Sequence, residues 1–295
     1  MAARGGAGAH RQGGIGPGRH RTRASRAARR HRHPLPRPGS VIWRDPLVRV
    51  VPSPPERGSG RSSVSNDRRF DDDYIAAPLT YAAAIAARTS RVRIGTAIVI
   101  APLHHPAEIA EQAAMVDLVS NGRLDLGIGA GYRVPEYELF GASLQRRYAQ
   151  TDERAREIRR LWAPGGVTPR PVQDPPPIWM GYQGPQGARR AGLLGESLLS
   201  ADAALWEPYR AGLAEAGHDV AAARMAGGIQ AWVSEDPEAV AARIFDFVGD
   251  APVETVFLWA SVGGQPEETV ARHIQTVCTR LAPILAAGRP AKEGR

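Results

Sequence analysis

Alternating glycines form the first feature of the sequence that could take part in chemistry. Gly127, Gly129 and Gly131 occupy every second position of the run 124–132. Glycine at alternate positions removes the side chains from one face of a strand, so a flat ring or another backbone can approach it closely. The pattern differs from a dinucleotide-binding fingerprint, because no helix is predicted directly after the glycines. Tight packing inside a barrel is the alternative explanation.

A glycine-containing loop after residues 179–181 is the second feature. A helix is predicted to begin directly after this loop, and the free N–H groups and dipole at the amino end of a helix bind phosphate well. Gln183 and Gln186 can add side-chain donors. Gly184 and Gly187 permit close approach of a ligand to the backbone. An ordinary connection between a strand and a helix is the alternative.

Two adjacent histidines, His104 and His105, follow a β-branched run that ends near residue 100. A histidine at the carboxyl end of a strand could donate to a bound ring or act in proton transfer. Capping of the helix that is predicted to begin near Pro106 is an equally good explanation. No other residue has the spacing of a metal ligand, so no metal site is predicted. The sequence also has no Ser/His/Asp arrangement, CxxC pair or P-loop, so nucleophilic hydrolysis has no support.

Strand-like and helix-like segments alternate from Asp71 onward and would position these residues. Strands are predicted at 92–100, 124–128, 178–181, 197–199, 228–233 and 255–260. Helices are predicted at 76–88, 106–119, 150–162, 185–194, 205–217, 237–248 and 266–286. Alternation of this kind is typical of parallel βαβ units. We therefore predict an α/β fold, a (β/α)₈ TIM-type barrel whose first two strands are not legible in the amino-terminal segment, with a doubly wound sheet as the alternative.

Residues 1–70 differ in composition from the rest of the chain. They hold 16 Arg and three acids, a formal charge of +13, so the remaining residues carry −5 of the net +8. An Arg-, Pro- and Gly-rich segment buries little apolar surface, so 1–70 is predicted to be a disordered leader or to be read from a shifted frame. Within it, only 41–43 and 47–51 resemble short strands. The barrel domain is predicted to span 71–290.

Composition also bears on location and partners. No apolar run reaches the roughly 18–20 residues that a membrane span needs, and no signal peptide is recognisable. The single cysteine, Cys278, lies on the apolar face of a predicted helix and indicates no disulfide. A cytoplasmic protein is therefore expected. Because the excess positive charge belongs to 1–70 and has no interleaved aromatic residues, nucleic-acid binding is disfavoured.

Taken together, these segments resemble the luciferase-like monooxygenase family, the bacterial-luciferase-like flavin-dependent oxidoreductases. Ser120-Asn121-Gly122-Arg123-Leu124 and Pro177-Ile178-Trp179-Met180-Gly181 are among the matching motifs. The ordered matches span 84–96, 105–106, 110–112, 117, 120–124, 127–131, 136–137, 140–141, 147, 153, 162, 171–173, 177–181 and 189–191. The family's first strand, its Gly-Phe-Asp and the Asp-His of its second strand have no match in 1–70.

The resemblance implies a TIM-type barrel that binds FMN, or the deazaflavin coenzyme F-420, at the carboxyl ends of the strands. The flavin ring would lie against the strand that carries Gly95, Thr96 and Ala97, which is bulged in several members, sometimes with a non-prolyl cis peptide. The phosphate would lie near 181–187. Many members have Gly-Gly where this sequence has Gly181-Tyr182, so the phosphate loop is a variant. The cofactor-binding residues implied in this way, together with the alternating glycines, are Gly95, Thr96, Ala97, Gly129, Gly131, Gly181, Tyr182, Gln183, Gly184, Gln186 and Gly187.

The function implied is that of a flavin-dependent oxidoreductase, a monooxygenase that acts on a small organic substrate with reduced FMN and O₂. Hydride transfer with coenzyme F-420 and a catalytically impaired flavin-binding barrel are the alternatives. The chemistry would come mostly from the cofactor, while the protein positions the substrate and excludes water. A separate flavin reductase and a homodimer are compatible with the resemblance.

Overall fold

The computed structural model describes residues 48–51, 77–91, 93–233, 236–259 and 266–288. Within these ranges the strands form one parallel sheet. They are β1 (Val48–Val51), β2 (Ile94–Gly95), β3 (Val99–Ile100), β4 (Leu124–Gly129), β5 (Ile178–Met180), β6 (Ser197–Leu198), β7 (Met225–Ile229) and β8 (Val253–Trp259). The helices are α1 (Pro78–Arg88), α2 (Pro106–Ser120), α3 (Val134–Phe140), α4 (Arg147–Trp162), α5 (Gly184–Leu194), α6 (Trp206–Glu215), α7 (Pro237–Val248), α8 (Glu267–Thr276) and α9 (Ala282–Ala287).

The order of the strands in the sheet is that of a barrel that curls around one axis. It runs β1, β8, β7, β6, β5, β4 and β2, and β3 also pairs with β4. β2 and β3 are two segments of one strand position, interrupted at 96–98. The described strands therefore occupy seven of the eight positions of a (β/α)₈ barrel, and the predicted fold class is confirmed.

The amino-terminal strand β1 pairs in parallel with β8, in the register Val48 to Val256 and Val51 to Trp259. It falls inside the predicted leader, at the second of the two short strands considered there. The other, 41–43, lies outside the described residues. The structure thus places one strand from 1–70 beside the last strand of the barrel.

Two of the differences from the prediction concern β7 and α3. β7 spans Met225–Ile229 rather than 228–233, because its ladder with β8 begins at Met225 opposite Val253. The apolar run that follows β7 resembles a strand in isolation but makes no ladder in the structure. α3 was not predicted, and its seven residues lie directly after the alternating glycines. Local sequence patterns predict strand pairing poorly, because the strands that pair are distant from each other in the chain.

The helix α2 shows how local sequence sets an element that borders the site. Pro106 occupies its first turn, and the chain leaves it at Asn121 in the left-handed conformation with φ 55°. Its buried stripe includes Ile109, Ala113 and Val116, as the spacing predicts. These residues pack in one core with the outward-facing Leu124, Leu126 and Ile128 of β4. Asp125, Gly127 and Gly129 therefore lie on the opposite, inner face of the strand.

Candidate active site

The carboxyl ends of parallel strands meet at one face of a barrel, and that face carries the active site in barrel enzymes. In this chain β3, β4 and β5 end there at Ile100, Gly129 and Met180. Most of the residues predicted to bind the cofactor lie on these ends or in the loops that follow them. The same face therefore carries the candidate site.

Gly127 accommodates the backbone of the neighbouring strand. A Cβ atom at this position would lie 1.8 Å from the carbonyl oxygen of Thr96. The Thr96 hydroxyl donates to the Gly127 carbonyl at 2.8 Å, and the Gly127 N–H donates to the same hydroxyl at 2.9 Å. At Gly127 the missing side chain therefore makes room for the backbone of the neighbouring strand.

The interruption between β2 and β3 projects Ile98 between two predicted site glycines. A Cβ atom at Gly129 would lie 2.2 Å from Ile98 Cδ1, and one at Gly181 would lie 2.6 Å from Ile98 Cγ2. The peptide bond between Ala97 and Ile98 is cis. Ala97, Gly129 and Gly181 are thus brought together around the half-buried side chain of Ile98.

Two predicted glycines lie apart from this group. Gly131 has φ +63°, and a Cβ atom there would lie 2.8 Å from Cγ2 of Ile100. Gly95 pairs with Asp125 nearer the amino ends of the strands, and a Cβ atom there would have only ordinary contacts at 3.9 Å. Gly131 is therefore close to the mouth of the barrel, whereas Gly95 is not.

The loop after β5 presents the uncapped amino end of α5. Gln183 is the N-cap residue, and its side chain makes no capping hydrogen bond. The N–H groups of Gln183, Gly184 and Gln186 have no acceptor within the helix, and Pro185 has no N–H. Gly184 has φ +70°, and a Cβ atom there would meet nothing within 4 Å. This end of α5 has the donors and the space for an anion.

Tyr182 lies beneath this loop. It is 1% exposed, and its hydroxyl donates to Asp152 at 2.5 Å. Burial, followed by the hydrogen bond to Asp152, raises the pKa of Tyr182. Arg190 also donates to Asp152, at 2.5 Å. A Cβ atom at Gly187 would lie 2.8 Å from Cβ of Tyr182, so both residues support the loop from inside.

Asp152 and Arg190 were not recognised from sequence as neighbours of the phosphate loop. Asp152 belongs to α4 and lies 30 residues before Tyr182. The residues next to a carboxylate in a helix do not indicate which distant side chain it will contact. Arg190 of α5 pairs with Asp152 in a partly buried position.

The two histidines have different environments. His105 is the N-cap of α2, and its Nδ1 accepts the N–H of Ala107 at 3.2 Å, as the capping alternative predicts. The His104 ring lies 5.8 Å from that of Phe140 in α3, and its carbonyl accepts from Arg154 at 3.1 Å. Both histidines border the mouth of the barrel, and these contacts are structural ones.

The helix α3 is held over the strand ends by Tyr137. Its hydroxyl donates to the carbonyl of Ala130, directly after β4. Tyr137 is 2% exposed, and burial raises its pKa to about 12. This neutral phenol anchors the segment that borders the candidate site.

A cavity of about 690 Å³ opens at the opposite, amino-terminal ends of the strands. It is lined by three arginines, each of which is paired with a carboxylate. The pairs are Arg93 with Asp125, Arg159 with Glu196 and Arg224 with Glu254. Because each cation is neutralised by a two-point contact, this face forms a polar base for the barrel and not a site for a free anion.

Comparison with known proteins agrees with this geometry. The sequence model of the luciferase-like monooxygenase family matches residues 62–281. Among solved structures, the monooxygenase RslO1 from Streptomyces bottropensis is 25% identical with a TM-score of 0.61, over 71% of this chain and 83% of that one. The range matched by the family model, 62–281, includes the candidate site.

Two curated relatives match shorter regions. The oxygenase component of the flavin-dependent trigonelline monooxygenase of Acinetobacter baylyi is 37% identical over 37% of this chain and 34% of its own length. A coenzyme F-420-dependent glucose-6-phosphate dehydrogenase of Amycolatopsis mediterranei is 31% identical over 44% of each chain. The chain thus spans less than half the length of these relatives.

Within the described ranges, the helices are too short or too polar to cross a membrane.

Proposed function

The chain belongs to the luciferase-like monooxygenase family, and from this we propose that it is an oxidoreductase that binds FMN and oxidises a small organic substrate with O₂. The site is the carboxyl-terminal face of the barrel. The residues proposed to contact the cofactor are those around Ile98 and at the amino end of α5.

The uncapped amino end of α5 is the observation that carries the proposal. Three N–H groups without helical acceptors converge beside the open space at Gly184. An N-cap of Ser, Thr, Asp or Asn would accept a hydrogen bond from one of these groups, but the Gln183 side chain makes no such contact. A phosphate there would accept hydrogen bonds and gain from the helix dipole. The site therefore fits the phosphate end of a flavin nucleotide.

The inner face of the barrel fits the ring end. Gly129 and Gly181 carry no side chains there, and Ile98 provides an apolar surface beside both. Thr96 holds this surface in place through its paired hydrogen bonds with Gly127. A bound flavin supplies the redox chemistry with O₂, and these residues bind and orient its ring while α3 limits access of water.

Hydride transfer with coenzyme F-420 is the second candidate. The Amycolatopsis relative named above is an enzyme of that kind. Both cofactors carry a phosphate, but the deazaflavin tail continues beyond it, and the open space at Gly184 would let a longer tail leave the loop. The name of the Acinetobacter relative, an oxygenase component, motivates the further proposal of a separate reductase as partner of this chain.

Titration of the purified chain with FMN, riboflavin and coenzyme F-420, followed by cofactor fluorescence, tests the proposal. We expect FMN to bind at least about tenfold more tightly than riboflavin, which lacks the phosphate. Gln186→Glu places a negative charge in the first turn of α5 and should remove most of this preference. Gln275→Glu, on the exposed face of α8, is the matched control.

Each outcome of this titration is informative. Preference for coenzyme F-420 over FMN would select the second candidate. Binding of FMN by a chain that shows no substrate turnover in a separate activity assay would identify an impaired flavin-binding barrel. Equal affinity for FMN and riboflavin would contradict a phosphate site at α5, and absence of binding to a folded chain would contradict the proposal as a whole.

A further inference from the structure

Two aromatic side chains of β8 face the interior of the barrel. Val256 and Leu258 lie on the outer face, in a core that contains Ile244 of α7 and Leu285 of α9. Because side chains alternate along a strand, Phe257 and Trp259 project from the opposite face. The two rings lie 5.9 Å apart, tilted at 56°. Trp259 is the last residue of β8, so the pair stands at the carboxyl-terminal mouth.

Gly228 of β7 makes room for both rings. A Cβ atom there would lie 2.5 Å from Trp259 Cη2 and 2.6 Å from Phe257 Cε2. Gly228 pairs with Phe257 in the ladder between β7 and β8. The two rings therefore lie across the inner face of β7 and form a continuous aromatic wall, made by Phe257 and Trp259 over Gly228.

The wall is only partly covered by the protein. Phe257 and Trp259 are both half-buried, whereas Val256 and Leu258 on the outer face are buried. Burial of a large aromatic surface from water is favourable, so a partly open aromatic wall inside a barrel is a ready contact surface for a flat apolar molecule.

The Trp259 indole adds a polar group to this wall. Its Nε1 atom is buried and has no hydrogen-bond partner in the part of the chain that the structure describes. Buried indole N–H groups usually have an acceptor, and leaving one unmet is unfavourable. By contrast, the buried indole of Trp162 donates to the carbonyl of Ala110 at 3.1 Å. The unmet donor of Trp259 indicates an acceptor supplied by a ligand.

We propose that the aromatic wall is the substrate-binding surface, that it selects a planar, largely apolar substrate, and that Trp259 donates a hydrogen bond to a carbonyl or hydroxyl oxygen of that substrate. The inference rests on the proposed function, whose substrate class it specifies. The Phe257 ring supplies area for stacking. The Trp259 indole supplies stacking area too, and its N–H group fixes the orientation of the substrate. A substrate held in this way has one oxygen fixed at the end of β8, across the barrel from the cofactor-binding loops of β4 and β5.

A pair of probes of matched shape tests the inference. Acetonaphthone carries a carbonyl acceptor on a naphthalene ring, and ethylnaphthalene has the same outline without an acceptor. Dissociation constants are measured by calorimetry for the wild-type chain with and without FMN. We expect acetonaphthone to bind about tenfold more tightly, as one hydrogen bond to a buried donor provides.

Two substitutions separate the contributions of the wall. Trp259→Phe keeps an aromatic ring but removes the donor and part of the stacking area. The ratio of the two dissociation constants should therefore fall to about one, while ethylnaphthalene loses only the affinity that the smaller ring costs. Phe257→Leu should weaken both probes by a similar factor. Trp206→Phe, in α6 outside the barrel interior, is the matched control and should change neither constant. Circular dichroism and thermal unfolding confirm that each variant is folded.

Binding to the wild-type chain and to the variants can each overturn the inference. The inference is wrong if the wild-type chain binds both probes equally or neither, or if Trp259→Phe retains the preference. FMN titration of the same samples separates it from the proposed function. A chain that prefers acetonaphthone but binds neither FMN nor coenzyme F-420 contradicts the proposed function alone, whereas cofactor binding without the preference contradicts this inference alone.

Discussion

The imidazole of His273 stacks on the indole of Trp232, with ring centroids 4.0 Å apart and planes 10° apart. Its Nδ1 accepts the N–H of Val233 at 3.2 Å, and its Nε2 lies 3.1 Å from the carbonyl oxygen of Trp259. These two contacts fit the neutral ring that carries its proton on Nε2. One buried side chain of α8 thus ties together the segments that follow β7 and end β8.

This arrangement makes stability dependent on pH. Burial lowers the pKa of His273 from its ordinary value of 6.5. Below that pH the unfolded chain binds a proton that the folded chain does not, so the free energy of unfolding falls as pH decreases through 6.5 toward the folded pKa, by at most about 1.4 kcal/mol per unit. Urea unfolding at several pH values between about 7.5 and 5 measures this slope. His273→Gln should be less stable at neutral pH and show a smaller slope, and an unchanged slope would contradict the assignment.

The close approach of Thr96 to Gly127 predicts a large effect of one methyl group. Gly127→Ala would place Cβ 1.8 Å from a backbone oxygen, which cannot rotate away. We expect a loss of about 3 kcal/mol or more in the free energy of unfolding. Gly95→Ala, in the same pair of strands with contacts at 3.9 Å, is the matched control and should change stability by less than about 1 kcal/mol. Similar stabilities of the two variants would contradict the close approach of the Thr96 carbonyl to Gly127.

The contact of Tyr182 with Asp152 predicts a supporting role for this tyrosine. Tyr182→Phe removes the hydroxyl but keeps the buried ring and the Cβ atom that lies beneath Gly187. The free energy of unfolding should fall by about 1 kcal/mol, as for one hydrogen bond. Affinity for FMN should stay within about twofold, because Asp152 and not a ligand engages the hydroxyl. A tenfold loss of FMN affinity at unchanged stability would instead make Tyr182 a direct ligand.

The N-cap role of His105 predicts that an unrelated capping residue can replace it. His105→Ala should cost about 1 kcal/mol, since the N–H of Ala107 loses its acceptor. His105→Asn keeps a side-chain acceptor and should recover most of this stability. Thermal and urea unfolding of the three chains measure the difference. If both variants bind FMN normally but lose turnover, His105 acts in proton transfer and the capping role is not its only one.

Local patterns in the sequence predicted much of the fold. The six strand-like runs after residue 90 each correspond to a strand position, and the stripe of Ile109, Ala113 and Val116 is the buried face of α2. Such predictions succeed because period and composition are properties of neighbouring residues. The prediction of β7 was displaced, since its position depends on a ladder with β8 that begins 28 residues away, at Val253.

The candidate site could be predicted only in part. The loop at 183–187 was recognisable because glycines and a helix start are adjacent in sequence. Asp152 and the aromatic wall were missed. Their partners, Tyr182 for the first and Gly228 for the second, lie about 30 residues away, and a carboxylate on a helix or a tryptophan at a strand end carries no local sign of what it will contact.

The sequence by itself determined the α/β alternation, the family resemblance and the face of the barrel on which the glycine loops gather, because each depends on order and spacing along the chain. Only the tertiary structure decided what the glycines do. Gly127 meets the backbone of Thr96, Gly129 and Gly181 meet Ile98, and Gly228 meets two aromatic rings. At these four positions the absence of a side chain lets another group come close. Which group comes close depends on the register of strands that are distant in sequence, and folding alone sets that register.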